Sequence, residues 1–151
     1  MSQSLSRLWT HLIFSTKDRY PFLADKSIGQ EMHVYMAGIL RKHDCPTLFI
    51  GGVADHVHAL FALSKNKSMS EIVYEVKRGS SKWIKTMSPQ MRKFHWQNGY
   101  GAFSVSHSHV EPVRLYIAEQ ERHHKKATFQ DEFRRFLRRY EVEFDERYVW
   151  D

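Results

Sequence analysis

Apolar residues in this chain fall into short runs and longer helical stripes that alternate along its length. Two runs rich in aromatic and aliphatic residues, 8–15 and 46–53, predict strands. A third apolar run, 55–63, follows the glycine pair near the end of the second almost at once, so we expect these two strands to pair as an antiparallel hairpin. Small residues that alternate with large apolar ones over 102–106 predict a fourth strand.

Four stretches carry apolar residues at the three- and four-residue spacing of an amphipathic helix, at about 25–43, 70–87, 111–126 and 128–140. Asp25 is a suitable N-cap for the first of these helices. The order is therefore β-α-β-β-α-β followed by two C-terminal helices. This order is typical of the α+β class with a ferredoxin-like or RNA-recognition-motif-like antiparallel sheet.

In that topology the first and third strands lie side by side in the middle of the sheet, and helices cover one face. The other face is then open to a ligand, a partner or nucleic acid. The sequence contains no internal repeat and no low-complexity linker, so we expect residues 1–151 to form one domain. Its core is predicted over about 7–126, with a C-terminal helix and tail over about 127–151.

The charge of the chain favours an anionic partner. Lysine and arginine outnumber aspartate and glutamate by 23 to 17, which gives a formal net charge of +6. Part of this surplus lies on one face of the predicted second helix and in the turn after the first strand. The alternative for such a run is an ordinary solvated face. The candidate phosphate contacts are Lys17, Arg19, Lys77, Arg78, Lys82 and Lys85.

Cysteine content and hydropathy bear on the location of the protein. Cys45 is the only cysteine, which excludes an internal disulfide and fits a reducing compartment. No apolar run approaches the length that crosses a bilayer, so we expect no membrane contact. The first residues show no pattern of a secretory signal. Cytoplasm is the expected location.

The third predicted strand carries His56 and His58, two residues apart. Successive side chains in a strand point to opposite faces, so both imidazoles lie on the same face. Such a pair can supply two nitrogen ligands to a metal ion, while the other ligands come from elsewhere in the fold. The alternative is a pair of surface or partly buried histidines without a ligand. His11 in the first strand could face the same place, although a hydrogen-bonded histidine near the core is the simpler interpretation.

The third predicted helix offers a further ligand and a nucleophile. Tyr116 and Gln120 are four residues apart and share one helix face, with His123 or His124 on the next turn. The neutral carbonyl oxygen of glutamine suits Mg²⁺ or Mn²⁺. A tyrosine beside a divalent cation is a candidate nucleophile, because the cation polarises a phosphoryl group and stabilises the developing charge. The alternative for Tyr116 is a packing residue of the helix.

These residues resemble the single-tyrosine transposases of small bacterial insertion sequences, the insertion sequence 200/605 family of HUH endonucleases. His56-Val57-His58 is similar to the histidine-hydrophobe-histidine motif of that family, and Tyr116 with Gln120 is similar to its nucleophile helix. The resemblance runs nearly end to end and includes the segments 10–17, 99–106 and 116–124.

The resemblance implies a DNA transposase in which Tyr116 attacks a phosphodiester of single-stranded DNA. A 5′-phosphotyrosine link and a free 3′-hydroxyl result, and the hydroxyl later reverses the reaction on a new end without ATP. It also implies that His56, His58 and Gln120 hold the divalent metal, Mg²⁺ or Mn²⁺. The implied partners are DNA hairpins near the element ends and a second copy of the chain, in a homodimer where Tyr116 and Gln120 can act in trans with the histidines.

Two other functions stay open at this point. A non-catalytic single-stranded nucleic-acid-binding module of the same fold would stack bases on exposed sheet aromatics, whereas here the central strand is expected to expose His56 and His58. A metal-dependent hydrolase would use an activated water and leave Tyr116 as packing. Tyr74 and Tyr100 are the rival nucleophiles, but neither has a glutamine or histidine one turn further on.

Overall fold

The computed structural model describes residues 2–151 and contains one antiparallel sheet of four strands. The strands are β1 (Trp9–Ser15), β2 (Thr47–Val53), β3 (His56–Ala62) and β4 (Gly101–Ser104). Their order across the sheet is β2-β3-β1-β4, so β1 and β3 are central as predicted. The predicted α+β fold class is confirmed.

Two helices pack on one face of this sheet, α1 (Lys26–Lys42) and α2 (Met69–Ile84). The carboxylate of Asp25 accepts from the first free N–H groups of α1, and a reciprocal capping box of Ser68 and Glu71 begins α2. Among residues 2–151 no helix is both long enough and apolar enough to cross a membrane.

The predicted continuous helix over 111–126 is wrong, because two shorter helices occupy this stretch. They are α3 (Val110–Ala118) and α4 (Gln120–His124), and Glu119 between them has φ −102° and ψ 21°, outside helical geometry. The break coincides with burial of Gln120, whose side chain hydrogen-bonds into the interior instead of following the α3 surface. Tyr116 and Gln120 therefore approach their neighbours from different helices.

The last helix, α5 (Phe129–Arg139), changes the expected architecture most. The sheet face opposite α1 and α2 was expected to be open, but α3 and α5 cover it. Apolar side chains of α5 pack on β1 and β4, and α3 contributes Ile117 to a second cluster on the same face. The physical reason is that the apolar stripe of α5 must be buried, and this sheet face offers the apolar surface. The α5 cluster contains Ile13, Phe103, Phe129, Phe133 and Leu137.

The C-terminal tail after α5 folds back onto the same region. Trp150 packs against the rings of Phe129 and Phe133, and the N–H of Gly99 donates to the carbonyl of Asp151 at 2.7 Å. The tail thus holds the outer side of α5 and the loop before β4. This packing keeps α5 pressed on the sheet face that carries the histidines.

Candidate active site

The two histidines of β3 lie on the sheet face that α3 and α5 cover. Their neighbours Val57 and Ala59 point the opposite way, into the core under α1 and α2. Both histidines have 0% exposure, so the expectation that the central strand would expose them is wrong. The cause is the C-terminal helices, which close over this face and add their own polar groups.

A buried carboxylate of α5 lies at the centre of the cluster. Glu132 Oε1 is 3.0 Å from His58 Nε2, 3.4 Å from His56 Nε2 and 3.3 Å from His124 Nε2. Sequence reasoning missed Glu132 altogether and noted His124 only as one of two histidines on the next turn. One signal was available: Glu132 lies three residues after Phe129 and four before Phe136, inside the apolar stripe of α5.

Tyr116 and Gln120 both reach the second oxygen of this carboxylate. The Tyr116 hydroxyl donates to Glu132 Oε2, and Gln120 Nε2 donates to the same oxygen at 3.3 Å. The amide oxygen of Gln120 lies 3.1 Å from His56 Nε2. The structure thus brings Tyr116, Gln120, His56 and His58 together within one chain.

The phenol ring of Tyr116 is held by aromatic neighbours. Its ring stacks on His123, with centroids 4.4 Å apart and an interplanar angle of 27°. The edges of His58 and Phe136 approach it at centroid distances of 6.0 Å and 5.9 Å. These contacts leave the phenol little rotational freedom, with its hydroxyl directed at Glu132.

The other ring nitrogen of each β3 histidine is engaged outside the cluster. His56 Nδ1 lies 2.6 Å from Asp55 Oδ1, and His58 Nδ1 lies 2.7 Å from His11 Nε2. With the Nδ1 atoms engaged in this way, both Nε2 atoms face Glu132. His11 therefore does face the same site, as a hydrogen-bond partner of His58.

The electrostatics of the cluster separate its members into charged and neutral groups. Burial alone would lower the pKa of His56, but hydrogen bonds and attraction from Asp55 and Glu132 outweigh it and raise the pKa to about 9. Burial would raise the pKa of Glu132, yet its contacts with the imidazoles of His124, His56 and His58 hold that pKa far below its usual range. Without a metal, the cluster therefore contains a buried pair of charged His56 and ionised Glu132.

Three groups in and beside the cluster, His58, His11 and Tyr116, stay neutral. Burial is the main cause that lowers the pKa of His58 and of His11. Burial, together with the negative charge of Glu132, raises the pKa of the Tyr116 phenol. The positive charge of Arg135 acts in the opposite direction on this phenol. Tyr116 is consequently protonated at neutral pH.

The cluster could bind a metal ion. One ligand atom each from His56, His58, His124 and Glu132 lies within 4.8 Å of the others. Two ligands about 2.1 Å from the same ion lie roughly 3.0–3.4 Å apart, and the three contacts of Glu132 Oε1 fall in this range. In addition, His124 Nε2 is buried and has no hydrogen bond of normal geometry to any of residues 2–151. A buried nitrogen of this kind fits a ligand that the protein alone does not supply.

The residues predicted to contact DNA are placed elsewhere. The helix α2 carries three of them and has Lys85 at its C-cap, and it lies across the sheet from the histidines, with Lys82 exposed and Lys85 half-buried. Arg78 is paired with Glu75 at 3.0 Å. Arg19 donates to the carbonyl of Trp150, and Lys17 is exposed beside it. A role of these residues in DNA binding stays a prediction.

Lys77 differs from the others because its ammonium group is used inside the chain. It donates to the carbonyls of Gln97, Asn98 and Gly99 at 2.7, 3.1 and 2.6 Å. Burial lowers its pKa to about 8, and its charge lies over the Phe14 ring at 5.0 Å. In this geometry Lys77 secures the loop before β4.

The rival tyrosines lie away from the cluster. Tyr74 is exposed on α2, across the sheet, with Arg78 over its ring. Tyr100 is exposed next to Lys77, at the end of the loop before β4. Of the three tyrosines considered as nucleophiles, Tyr116 is the one that touches the histidine and glutamate group.

Comparisons with known proteins identify a family and solved structures of similar fold. Residues 4–120 match the family model described as Transposase IS200 like. Comparison with curated protein sequences returned no match. A candidate transposase of Deinococcus radiodurans is similar in fold, with 20% identity, a TM-score of 0.61 and coverage of 80% of this chain and 98% of that chain. The structure of a REP-associated tyrosine transposase bound to a REP hairpin is also similar, with 13% identity, a TM-score of 0.56 and coverage of 82% and 74%.

Structural matches at these identities show the fold, whereas the family model provides the assignment. It spans 117 of the 151 residues, from 4 to 120, and includes His56, His58, Tyr116 and Gln120. The resemblance found in the sequence is confirmed. The chain belongs to the IS200-like transposase family.

Proposed function

We propose that this protein cleaves and rejoins single-stranded DNA through a covalent link to Tyr116, with a divalent metal, Mg²⁺ or Mn²⁺. One observation carries the proposal. The Tyr116 hydroxyl donates to the same carboxylate, Glu132, that contacts His56, His58 and His124. A nucleophile and a group of metal ligands are therefore one hydrogen bond apart.

The two oxygens of Glu132 suit different tasks. Oε1 faces the three histidines and would hold the ion together with His56, His58 and His124, while the amide oxygen of Gln120 is close enough to join them. Such an ion supplies positive charge that polarises the scissile phosphate and stabilises the developing negative charge. Oε2 holds the phenol hydrogen of Tyr116 and is the acceptor nearest to it.

The proposed chemistry transfers one phosphoryl group and balances without a co-reactant. The Tyr116 hydroxyl gives its proton to Glu132 Oε2, and its oxygen forms a bond to phosphorus. The bond from phosphorus to the 3′-oxygen breaks, and that oxygen leaves as a hydroxyl after taking up a proton. The resulting 5′-phosphotyrosine conserves the energy of the phosphodiester, so a second 3′-hydroxyl can reverse the step.

The proposed partner is a DNA hairpin at the end of an element. The family assignment and the REP hairpin bound to one structural neighbour support this substrate class. The buried sheet face disfavours a non-catalytic module, because that mode of binding needs sheet aromatics that bases can reach. The cytoplasmic location and the homodimer stay predictions.

The decisive experiment follows the covalent link. Protein is incubated with a labelled single-stranded hairpin oligonucleotide and Mn²⁺ or Mg²⁺, and a denaturing gel separates free DNA from protein-bound DNA. We expect a denaturation-resistant adduct with the wild type, none with Tyr116→Phe, and an unchanged amount with the control Tyr74→Phe. Cleavage by Tyr116→Phe without an adduct would instead identify a hydrolase that uses water. Binding without any cleavage by the wild type would favour the binding module.

We further propose that one chain supplies the whole site in cis, since Tyr116 and Gln120 contact the histidine group of their own chain. A mixture of Tyr116→Phe and His58→Gln proteins tests this arrangement. In cis neither variant can complete the other, so the mixture forms no adduct. Recovery of adduct in the mixture would show that Tyr116 acts in trans within a dimer.

A further inference from the structure

A cleft opens beside Tyr116 between α3 and α5. Its volume is about 420 Å³. One wall consists of Arg135, Phe136 and Arg139 from α5, and the other of Val113 and Tyr116 from α3. The phenol ring thus separates the buried metal-binding group from a cleft that is open to solvent.

The basic side chains of this cleft have no acidic partner. Arg135 and Arg139 are exposed, and neither forms a hydrogen bond or ion pair with a carboxylate of residues 2–151. Their neighbour Arg134 behaves differently, since it pairs with Asp131 at 3.1 Å and with Glu146 at 2.6 Å. The two unpaired guanidinium groups are one helical turn apart, about 6 Å along the axis, and lie on the same side of α5.

Carboxylates are absent from the described lining of this cleft, whose other members include His11 and His109. Three further clefts of residues 2–151 each include an acidic side chain, namely Glu121, Asp55 with Asp131, and Asp18. The cleft beside Tyr116 therefore has an uncompensated positive charge. Such a site attracts an anion with several charges more strongly than a neutral ligand.

The wall between the arginines and the nucleophile is aromatic and apolar. Phe136 is half-buried, and its ring stacks on that of Phe103 with centroids 5.5 Å apart. It also makes edge-to-face contacts with the rings of His11 and Tyr116. Val113 lies across from it on α3. An apolar wall with two basic groups on its rim matches the alternating chemistry of a nucleic acid strand, in which apolar bases or sugars follow charged phosphates.

We propose that this cleft binds the single-stranded DNA immediately beside the scissile phosphate, with Arg135 and Arg139 on two backbone phosphates and Phe136 against a base or sugar. The inference rests on the proposed function, because it takes Tyr116 as the group that the scissile phosphate must reach. It adds a substrate-binding surface on α5, outside residues 4–120 that match the family model. The same helix then provides both Glu132 and the side chains that bind the DNA strand.

Direct binding measurements test the cleft without cleavage. A fluorescent, unstructured single-stranded oligonucleotide is titrated with each full-length protein in buffer with EDTA, and anisotropy gives Kd at several salt concentrations. The variant is Arg135→Gln/Arg139→Gln. The control is Arg41→Gln/Arg138→Gln, which removes the same charge from exposed side chains that do not line the cleft.

We expect the cleft variant to bind about tenfold more weakly than the control, with a slope of log K against log salt that is smaller by about 1.4, or 0.7 for each lost phosphate contact. Equal affinities and slopes for the two variants would overturn the inference. Adduct formation is measured in parallel on the wild type. A wild type that forms no adduct contradicts the proposed function. The comparison of binding affinities shows in either case whether the cleft binds single-stranded DNA. Thermal melts confirm that both variants are folded.

Discussion

The two faces of the central strands differ in almost every respect, although both are formed by alternate residues of the same two strands. On the face toward α1 and α2, side chains such as Phe14 and Val57 form one closed apolar core. On the opposite face, His56 and His58 meet the buried carboxylate of Glu132. The alternation of a strand thus separates a face that stabilises the fold from a face that positions reactive groups.

A polar cluster inside a small domain needs polar partners for each of its buried groups. A buried ion pair recovers little net free energy once its desolvation is counted, so the cluster contributes less to folding than the apolar face does. Its members contact one another, with Glu132 shared by His56, His58 and His124. Removal of one member leaves the others with unmatched charge or hydrogen bonds.

The largest expected effect on stability comes from the apolar face. Phe14 is fully buried and packs edge-on against Trp96 with centroids 4.8 Å apart. Phe14→Ala should lower the free energy of unfolding by about 3–5 kcal/mol, because it removes a large ring and leaves a cavity. Urea denaturation measures this loss. Adduct formation per folded molecule should stay near the wild-type value.

The matched change on the other face is His58→Gln. It removes a candidate metal ligand but retains a polar side chain of similar size, so we expect adduct formation to fall at least about 100-fold while unfolding changes by less than in Phe14→Ala. The comparison of the two faces would fail if His58→Gln were the more destabilising variant and retained activity. It would fail equally if Phe14→Ala lost activity while remaining folded.

The features that the sequence could predict are those that depend on local alternation along the chain. Strands and the helices α1, α2 and α5 follow from local periodicity, and His56 with His58 follows from the same two-residue alternation. The break at Glu119 does not, because it depends on the hydrogen bonds that Gln120 makes to distant partners. Local preferences cannot specify contacts between residues that are far apart in sequence.

The site was likewise predictable only in part. Motif resemblance identified His56, His58, Tyr116 and Gln120 as one group, and the structure places them together. Glu132 lies 76 positions after His56 in a helix whose pattern indicates only an amphipathic stripe. The closure of the second sheet face by α3 and α5 is a matter of tertiary packing, and Glu132 reaches the histidines only because of it.

A histidine outside the candidate site, His33, should make the stability of the protein depend on pH. His33 on α1 is half-buried, its Nε2 has no hydrogen-bond partner among residues 2–151, and burial lowers its pKa to about 4. The pKa of His33 in the folded protein is below its unfolded value of about 6.5. The contribution of neutral His33 to the free energy of unfolding is therefore complete above pH 6.5 and is lost as the pH falls toward 4.

The expected loss through His33 is up to about 3 kcal/mol of unfolding free energy over that interval. Denaturation series at pH 7, 6, 5 and 4 measure it. His33→Leu should reduce the slope between pH 6.5 and 4, while the exposed control His95→Gln retains the wild-type slope. Parallel slopes for His33→Leu and the wild type would show that His33 protonates freely in the folded protein.

The smallest of these effects concerns a residue that orients the site without joining it. Asp55 Oδ1 lies 2.6 Å from His56 Nδ1 and is the hydrogen-bond partner that directs Nε2 of His56 at Glu132. Asp55→Asn keeps an acceptor oxygen at this position but removes the negative charge that makes the imidazole a stronger ligand. We expect Mn²⁺ affinity, measured by calorimetry, to fall about 10-fold, at the low end for outer partners of metal ligands.

Asp44→Asn makes the same change at an exposed position and should leave the affinity unchanged. Equal Mn²⁺ affinities for the two variants would mean that the geometry of His56 is set by β3 alone, and that the polar face needs no support beyond its own strand.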